Sequence, residues 1–406
     1  MPNDLSGSQA KVWRHPDPAF ALADTPRNNA AAATASAARA APALAESAGD
    51  RIVALDGLRG VACIIVILSH YFGEVAHGVA FLYNGWAGVE LFFCLSGFLI
   101  GGILLDNRNS PSYFRTFYTR RAFRIFPIYY VVVSLVILAS IVLPFATPIG
   151  PVYAYFTYTV NFLMATGHVS GSNWLLPLWT LCVEEQFYIL LPLFLYVIPA
   201  RWRLERVLPV MILLPVLMRA SLISCCGAQD LALQDLLPGR MDALFLGVLA
   251  AYARRTPYLW TWLSRNSRFL LNAIFLVSAA LLGAVAVLEA VAGIRSFDLF
   301  GWTLSGICFT GLILMVADGS PEATRFRSPI LCSVGTISYC LYLVHQPIAG
   351  ILHGLILGSE PDTGTPAQLA VTLLAFAASV VAAWLSWVLF ERPLLRIGRR
   401  WTYARA

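Results

Sequence analysis

The stretch LDGLRGVACIIVILSHYF, Leu55–Phe72, is an apolar run that nevertheless carries an acid, an arginine and a histidine. At about 1.5 Å per residue, a helix of this length approaches the ~30 Å thickness of a bilayer's hydrocarbon core. The helical turn of about 100° per residue puts Asp56, Arg59 and His70 on one face, within about 60° of each other. Because charges are costly in lipid, we expect this face to point into the protein or into a watery cavity.

The composition of the whole chain extends this interpretation. Hydrophobic residues make up 58% of the 406 residues and charged residues only 12%, with a mean hydropathy of +0.70. Soluble domains are about 25% charged. The sequence therefore predicts an all-α polytopic membrane bundle of about ten transmembrane helices. The predicted spans are 52–72, 79–105, 126–146, 174–199, 207–226, 237–253, 269–292, 298–317, 330–357 and 367–391.

The distribution of arginine predicts how this bundle is oriented. The chain has a net charge of +6, and Lys11 is its only lysine. Arginines cluster after every second predicted span, and Arg240 and Arg295 are the exceptions in the alternate loops. The positive-inside rule then predicts that both termini are cytoplasmic. Since topology explains these charges and the sequence contains no nucleic-acid-binding module, we expect no nucleic acid partner.

Three regions follow from the hydropathy pattern. Residues 1–50 are rich in Ala and Pro and are predicted to form a disordered cytoplasmic tail. Residues 51–396 hold the predicted membrane domain, and residues 397–406 form a short basic C-terminal tail. Within the membrane domain, residues 147–173 make the longest outer segment, which we expect to include a short re-entrant or surface helix.

Several acids lie inside predicted spans, where each needs a partner or a cavity. Glu90 lies in the second span, and Glu184 and Tyr188 share one face of the fourth. A buried glutamate has a raised proton affinity, which suits proton exchange. The alternative is a structural acid that holds an arginine of another span, with Arg219 as the candidate. Ser96 belongs to a small-residue patch in the second span and is assigned to helix packing.

Basic residues also allow two interpretations each. His345 precedes a proline and can either cap the kink of the ninth span or take part in chemistry. If the segment before the third span is helical, Arg120, Arg121 and Arg124 form one basic face at the membrane surface. This face either anchors the chain in the membrane or clamps a phosphorylated donor, because guanidinium groups bind phosphate well.

Five ordered stretches together resemble one known family. They are LDGLRGVACIIVILSHYF, GVELFFCLSGFLIGGIL, RRAFRIFPIYY, LWTLCVEEQFYILLPL and SYCLYLVHQP. They resemble membrane-bound acyltransferase family three, and the resemblance covers about residues 52–396. Members of that family typically move an acetyl group from acetyl-CoA to a hydroxyl of a glycan or of another acceptor. The resemblance therefore implies an integral membrane O-acyltransferase in the bacterial inner membrane.

The same resemblance implies roles for individual residues. His70 matches the catalytic histidine, and Glu184 matches the acid of the fourth-span motif. Glu90 is assigned a catalytic role and stands where relatives often have Asp. It keeps the same charge on a longer side chain. Arginines that match the family's donor-binding positions are Arg59, Arg121 and Arg124. Relatives that continue into a soluble hydrolase-like domain complete transfer there, so we expect this chain to finish transfer within the membrane domain.

The expected reaction joins these assignments. Acetyl-CoA, or another acyl-CoA, is expected to dock on the arginines as cosubstrate, while His70 acts as base or transient acyl carrier. Asp56 or Glu90 could orient the imidazole, but about 21 Å of helix separates Asp56 from His70, so Asp56 is expected to pair with Arg59.

The expected partners are a glycan, a lipid-linked sugar or another hydroxylated acceptor, and membrane lipid. No metal is expected. The alternative function is a multi-span transporter of an anionic or proton-coupled substrate.

Overall fold

The structure is a computed structural model that describes residues 52–79, 82, 84–146, 149–167, 173–198, 204–226, 235–292, 297–319 and 321–404. The predicted tail at 1–50 lies outside these ranges. Every regular element within them is helical, which confirms the predicted all-α class. The α-helices are α1 Val53–Leu68, α2 Trp86–Asp106, α3 Tyr113–Val142, α4 Val152–Phe156, α5 Val160–Ala165, α6 Leu178–Val197, α7 Leu204–Cys226, α8 Leu237–Arg255, α9 Pro257–Ala292, α10 Trp302–Ala317, α11 Pro329–Leu357, α12 Pro366–Ser386 and α13 Arg392–Gly398.

Shorter helical turns connect or extend these elements. A π-helical turn at Ser69–Gly73 continues α1, another at Phe297–Gly301 leads into α10, and a third at Trp387–Glu391 joins α12 to α13. Turns of 3₁₀ helix occupy Asn173–Leu175 and Pro321–Arg327. The π-helical turn after α1 concerns the site directly, because it contains His70.

Eight helices in the described ranges are long and apolar enough to cross a membrane. They are α1 with its π-helical turn, α2, α3, α6, α7, α10 with its turn, α11, and α12 continued through α13. Helix α8 covers the sixth predicted span, 237–253, and α9 begins at Pro257, twelve residues before the seventh; neither is among these eight helices. The predicted outer segment at 147–173 contains two short helices, α4 and α5.

Helix α3 differs from its prediction, because it begins at Tyr113 rather than near residue 126. Tyr113 and Phe117 are buried one turn apart, so the charged stretch has an apolar face that packs on the bundle. The segment assigned to an inner loop is therefore the first part of a 30-residue helix. Its arginines are consequently held at fixed positions along α3.

Close packing of α1 against α11 fixes the frame of the site. A Cβ atom on Gly335 would lie only 1.8 Å from the carbonyl oxygen of Asp56, and one on Gly60 would lie 2.1 Å from that of Leu331. Glycine at both positions lets the two backbones approach. Polar residues of α1 are thus brought directly beside those of α11.

Candidate active site

Three predicted donor-binding residues line one cavity, which we call the arginine cavity. It has a volume of about 90 Å³ and lies between α1, α2, α3, α6 and α11. Its polar lining residues are Arg59, Ser96, Arg121, Arg124, Thr180, Glu184, Glu185, Tyr188, Ser338, Tyr339 and Tyr342. Predicted site residues from three separate sequence motifs therefore meet in one place.

Glu184 is held in this cavity by hydroxyl groups. The Ser96 hydroxyl donates to Glu184 Oε1 at 2.6 Å, and the Tyr188 hydroxyl lies 3.2 Å from Glu184 Oε2 and 2.9 Å from Ser96 Oγ. The Arg121 guanidinium lies over the Tyr188 ring, 5.6 Å from its centroid. Ser96 thus belongs to the cavity network and is not only a packing residue.

The alternative partner suggested for Glu184 has a different role. Arg219 lies 3.0 Å from Asp242 of α8, so the expectation that it could hold Glu184 is wrong. Arg219 also donates to Thr303 of α10 at 2.8 Å. This buried network ties α7 to α8 and α10. The charges of α8 are consequently matched inside the bundle.

The arginines of α3 divide into two pairs. Arg121 and Arg124 line the cavity. Arg120 instead donates to the carbonyl oxygen of Trp401 at 2.6 Å, and the Arg115 guanidinium lies 4.4 Å from the Trp401 ring centroid. The second pair therefore holds the C-terminal segment against α3. Only the first pair is placed to contact a ligand in the arginine cavity.

Arg59 and Asp56 form the predicted pair on α1. Their closest charged atoms lie 3.9 Å apart, one turn of helix from each other. Arg59 also lines the arginine cavity. The acid and the arginine of the first motif therefore serve the same end of α1, whereas His70 lies about 16 Å further along.

His70 makes its closest contact with another predicted candidate, His345 of α11. His345 Nδ1 lies 2.7 Å from the carbonyl oxygen of Tyr342, and a carbonyl can only accept, so this nitrogen carries hydrogen. In neutral His345, Nε2 is then an acceptor, and it lies 2.7 Å from His70 Nδ1, which must donate. The remaining nitrogen, His70 Nε2, is left with a free lone pair. It is in the form that accepts a proton.

A carboxylate that the sequence reasoning missed lies beside this nitrogen. Glu74 Oε2 is 3.7 Å from His70 Nε2, while Glu74 Oε1 accepts from the Ser69 hydroxyl at 2.8 Å. The Gly85 N–H donates in turn to Ser69 Oγ at 3.0 Å. Burial raises the pKa of Glu74, opposed by the Ser69 hydrogen bond. The four-residue spacing from His70 to Glu74 is the sequence signal that could have found this acid.

His70 and Glu74 face a second and larger space, which we call the histidine cavity. Its volume is about 600 Å³, and it lies among the end of α1, the segment after α3, the 3₁₀ turn before α6, and the α11–α12 connection. Its side-chain walls include Phe145, Trp174, Gln346, Glu360, Asp362 and Gln368. Such a mixture of apolar surface and a few polar groups is typical of small-molecule sites.

Tyr342 lies between the two cavities. It lines the arginine cavity, and its ring centroid is 5.7 Å from that of His345. Its hydroxyl is held 2.8 Å from Thr180 Oγ1. One turn of α11 therefore faces the arginines with Tyr342 and holds His70 with His345.

Glu90 lies elsewhere. It forms a fully buried ion pair with Arg240, whose guanidinium also lies 3.9 Å from the Trp302 ring centroid. Glu90 lines neither of the two cavities. Its partner comes from α8, 150 residues later in the chain, so no local pattern could have identified it.

No three or more His, Cys, Asp or Glu side chains within the described ranges are grouped so that they could hold a metal ion. One cavity offers guanidinium groups, hydroxyls and the carboxyl groups of Glu184 and Glu185, and the other offers the His70 imidazole, amides and carboxyl groups.

The chain is similar to known bacterial acyltransferases. Over 374 residues the chain is 28% identical to the peptidoglycan O-acetyltransferase OatA of Listeria monocytogenes, covering 86% of this chain and 56% of the relative. It is 27% identical over 392 residues to the acyltransferase MdmB of Streptomyces mycarofaciens, covering 88% and 95%. The chain thus spans little more than half the length of the first relative. No solved structure matches it.

Residues 52–391 match the family described as an acyltransferase domain. This range includes both cavities and every span-forming helix up to the π-helical turn at Trp387–Glu391. An acyltransferase family, bacterial relatives and eight helices able to span a membrane together define a multi-pass bacterial membrane enzyme. The chain belongs to acyltransferase family three.

Proposed function

We propose that this enzyme transfers an acetyl or other short acyl group from acyl-CoA to a hydroxyl of a glycan or similar acceptor. The observation that carries the proposal is the contact of His70 with His345, because it leaves His70 Nε2 free as a base beside an open cavity. The peptidoglycan O-acetyltransferase named among the relatives supports a hydroxyl acceptor.

The arginine cavity is the proposed donor site. CoA carries several phosphate groups, and guanidinium groups bind phosphate through charge-assisted hydrogen bonds. Arg59, Arg121 and Arg124 supply three such groups from two helices. A cavity of about 90 Å³ is far smaller than a whole CoA, so we infer that it receives only part of the donor, with the thioester directed toward Tyr342.

The proposed topology places that donor site at the cytoplasmic side of the bacterial inner membrane. The alternation of arginine-rich segments supports ten spans with both termini cytoplasmic, counting α8 and α9 with the eight more apolar helices. The arginines at the start of α3 then face the compartment that contains acyl-CoA. The histidine cavity would lie toward the opposite side, because His70 is about 16 Å along α1 from Arg59.

The proposed chemistry is direct transfer with His70 as general base. The acceptor oxygen attacks the thioester carbonyl carbon while its proton passes to His70 Nε2. The bond to sulfur then breaks, CoA leaves as a thiolate, and the imidazolium returns the proton to it. His345 holds the ring through the other nitrogen, and Glu74 faces the imidazolium that forms. Glu184, Ser96 and Tyr188 are proposed to contact the donor in the arginine cavity.

The direct test uses purified full-length protein in lipid nanodiscs with radiolabelled acetyl-CoA and an acceptor. Release of free CoA should depend on the acceptor, and label should appear in the acceptor. His70→Ala should abolish both signals. An active protein whose His70→Ala variant turns over at the same rate would contradict the assignment of the base. An unchanged protein that never consumes acetyl-CoA with any hydroxyl acceptor would contradict the proposed reaction.

A further inference from the structure

The histidine cavity is lined by acidic side chains and one histidine. Among its lining residues, the ionisable side chains are His70, Glu74, Glu360 and Asp362, with no arginine or lysine. In the sequence, the stretches 72–86, 143–178 and 354–366, which include several of the lining residues, also contain no arginine or lysine. The arginine cavity, in contrast, is lined by three arginines as well as by Glu184 and Glu185. An anion in the histidine cavity would therefore meet carboxylates without a permanent cation to balance it.

Asp362 is fixed as an anion at the rim of this cavity. His77 Nδ1 lies 2.6 Å from Asp362 Oδ2, and the backbone N–H groups of His77 and Thr363 both donate to Asp362 Oδ1, at 3.0 Å and 2.7 Å. These hydrogen bonds lower the pKa of Asp362 to about 2. The carboxylate therefore stays ionised throughout the physiological range. His77 is itself largely exposed and can offset that charge only when it is protonated.

The remaining walls suit a polyol. Phe145 and Trp174 give apolar surface on one side, while the amide of Gln346 and the carboxylates of Glu74 and Glu360 give hydrogen-bonding groups. Carboxylates accept hydrogen bonds from hydroxyl and ammonium groups, whereas they repel ionised phosphate and carboxylate groups. Apolar surface with a few directional polar groups is the usual design of a small-molecule pocket.

We infer that the acceptor is an uncharged or amine-bearing sugar, and that the cavity rejects acceptors with a phosphate or carboxylate near the acylated hydroxyl. This inference rests on the proposed function, because it assumes that the histidine cavity is the acceptor site. It narrows the acceptor to a charge class. It excludes sugar phosphates and uronic acids as direct acceptors.

The potential of the cavity can be measured without any turnover. Ser359 lies on the cavity wall next to Glu360, so Ser359→Cys gives a thiol there. Its reaction with a cationic methanethiosulfonate should be about fivefold faster, relative to a simple thiol, than with an anionic one. Glu360→Gln combined with Asp362→Asn should remove that preference. The parent protein corrects for native cysteines, and Thr324→Cys beside Arg325 is the matched control, expected to show no cationic preference.

Acceptor choice is measured on the unmodified protein with methyl glucoside, glucosamine, glucose 6-phosphate and glucuronic acid. The first two should have kcat/KM values at least about tenfold above those of the two anions. Glu360→Arg should narrow that ratio. Comparable turnover of the anions, or equal reactivity of the Ser359→Cys thiol with the two reagents, would overturn the inference. If the thiol prefers the cationic reagent but His70→Ala leaves acylation unchanged, the proposed function fails while the charge of the cavity stands.

Discussion

The arginine cavity and the histidine cavity share helices α1 and α11, yet they differ in size and in the charged side chains that line them. Arg59, Arg121 and Arg124 line a space of about 90 Å³, whereas His70 and three carboxylates line one of about 600 Å³. The narrow cavity suits one extended group held by cations, and the wide cavity suits a variable acceptor. In the proposed function, one α-helix thus carries donor-binding residues at one end and the base at the other.

The first way to test this division is to remove the base. His70→Ala should lower kcat by about two to four orders of magnitude, because general base catalysis contributes about that much. Binding of acyl-CoA, measured by isothermal titration in nanodiscs, should change by less than about twofold since His70 does not line the arginine cavity. Loss of donor binding together with turnover would mean that the two cavities act as one site.

A second test separates both cavities from the buried frame. Glu90 and Arg240 form a fully buried ion pair, and removing one partner of such a pair costs about 3–5 kcal/mol of stability. Glu90→Ala should therefore lower the thermal unfolding temperature strongly. Glu90→Gln with Arg240→Gln should recover part of that loss, because no unpaired charge remains.

The matched control for Glu90 is Glu184→Gln. Glu184 contacts hydroxyl groups rather than a buried arginine, so its loss should cost less stability and affect turnover more. A Glu90→Ala variant that keeps its unfolding temperature but loses activity would instead support the catalytic role that the family resemblance implied for Glu90.

Glu90 and Glu184 also show how much of the site can be predicted from the sequence. The apolar spans and the five motifs predicted the helical membrane class, and they identified Arg59, Arg121, Arg124 and Glu184, which meet in one cavity. Local spacing also predicted the Asp56–Arg59 pair correctly. These successes all depend on residues within one helix or on motifs that are recognisable as a set.

Contacts between distant helices could not be predicted in the same way. The partner of His70 is 275 residues away, and that of Glu90 is 150 residues away. Hydropathy assigns such residues to spans, but it does not say which helices adjoin. The start of α3 was missed for a related reason. Its arginines lower the local hydropathy, so the buried face formed by Tyr113 and Phe117 does not stand out in the sequence. Packing decides these features, and a single sequence does not encode helix neighbours in any local pattern.

The donor site gives the third test. Arg121→Gln with Arg124→Gln should weaken acetyl-CoA binding by about 100-fold, because a hydrogen bond to a charged group is worth about 1.5–3 kcal/mol. The matched control is Arg115→Gln with Arg120→Gln, which removes the same charge from the same helix. Those arginines contact Trp401, so donor affinity should fall by less than about threefold.

The outcome that would contradict the division within α3 is equal weakening by the two double variants. In that case the whole basic face would attract the donor without specific contacts, and the effect should disappear at high salt. Weakening by the Arg121 and Arg124 changes that persists at high salt would support direct contact with the phosphates in a shielded site.

The smallest expected effect belongs to Glu74, and it distinguishes an electrostatic role from a structural one. Glu74 faces His70 Nε2 at 3.7 Å, so its negative charge stabilises the imidazolium relative to the neutral ring. In Glu74→Gln the imidazolium loses that stabilisation, and the base stays unprotonated to lower pH. The acid limb of the kcat/KM profile should therefore move down by about one pH unit, with maximal kcat/KM reduced by less than about tenfold. Ser69→Ala is the companion variant, because it removes the hydrogen bond that holds Glu74 but keeps the charge. Ser69→Ala should lower kcat/KM but move the acid limb less than Glu74→Gln does. If Glu74→Gln lowers kcat/KM at every pH without shifting the acid limb, the role of Glu74 is only to hold the π-helical turn in place.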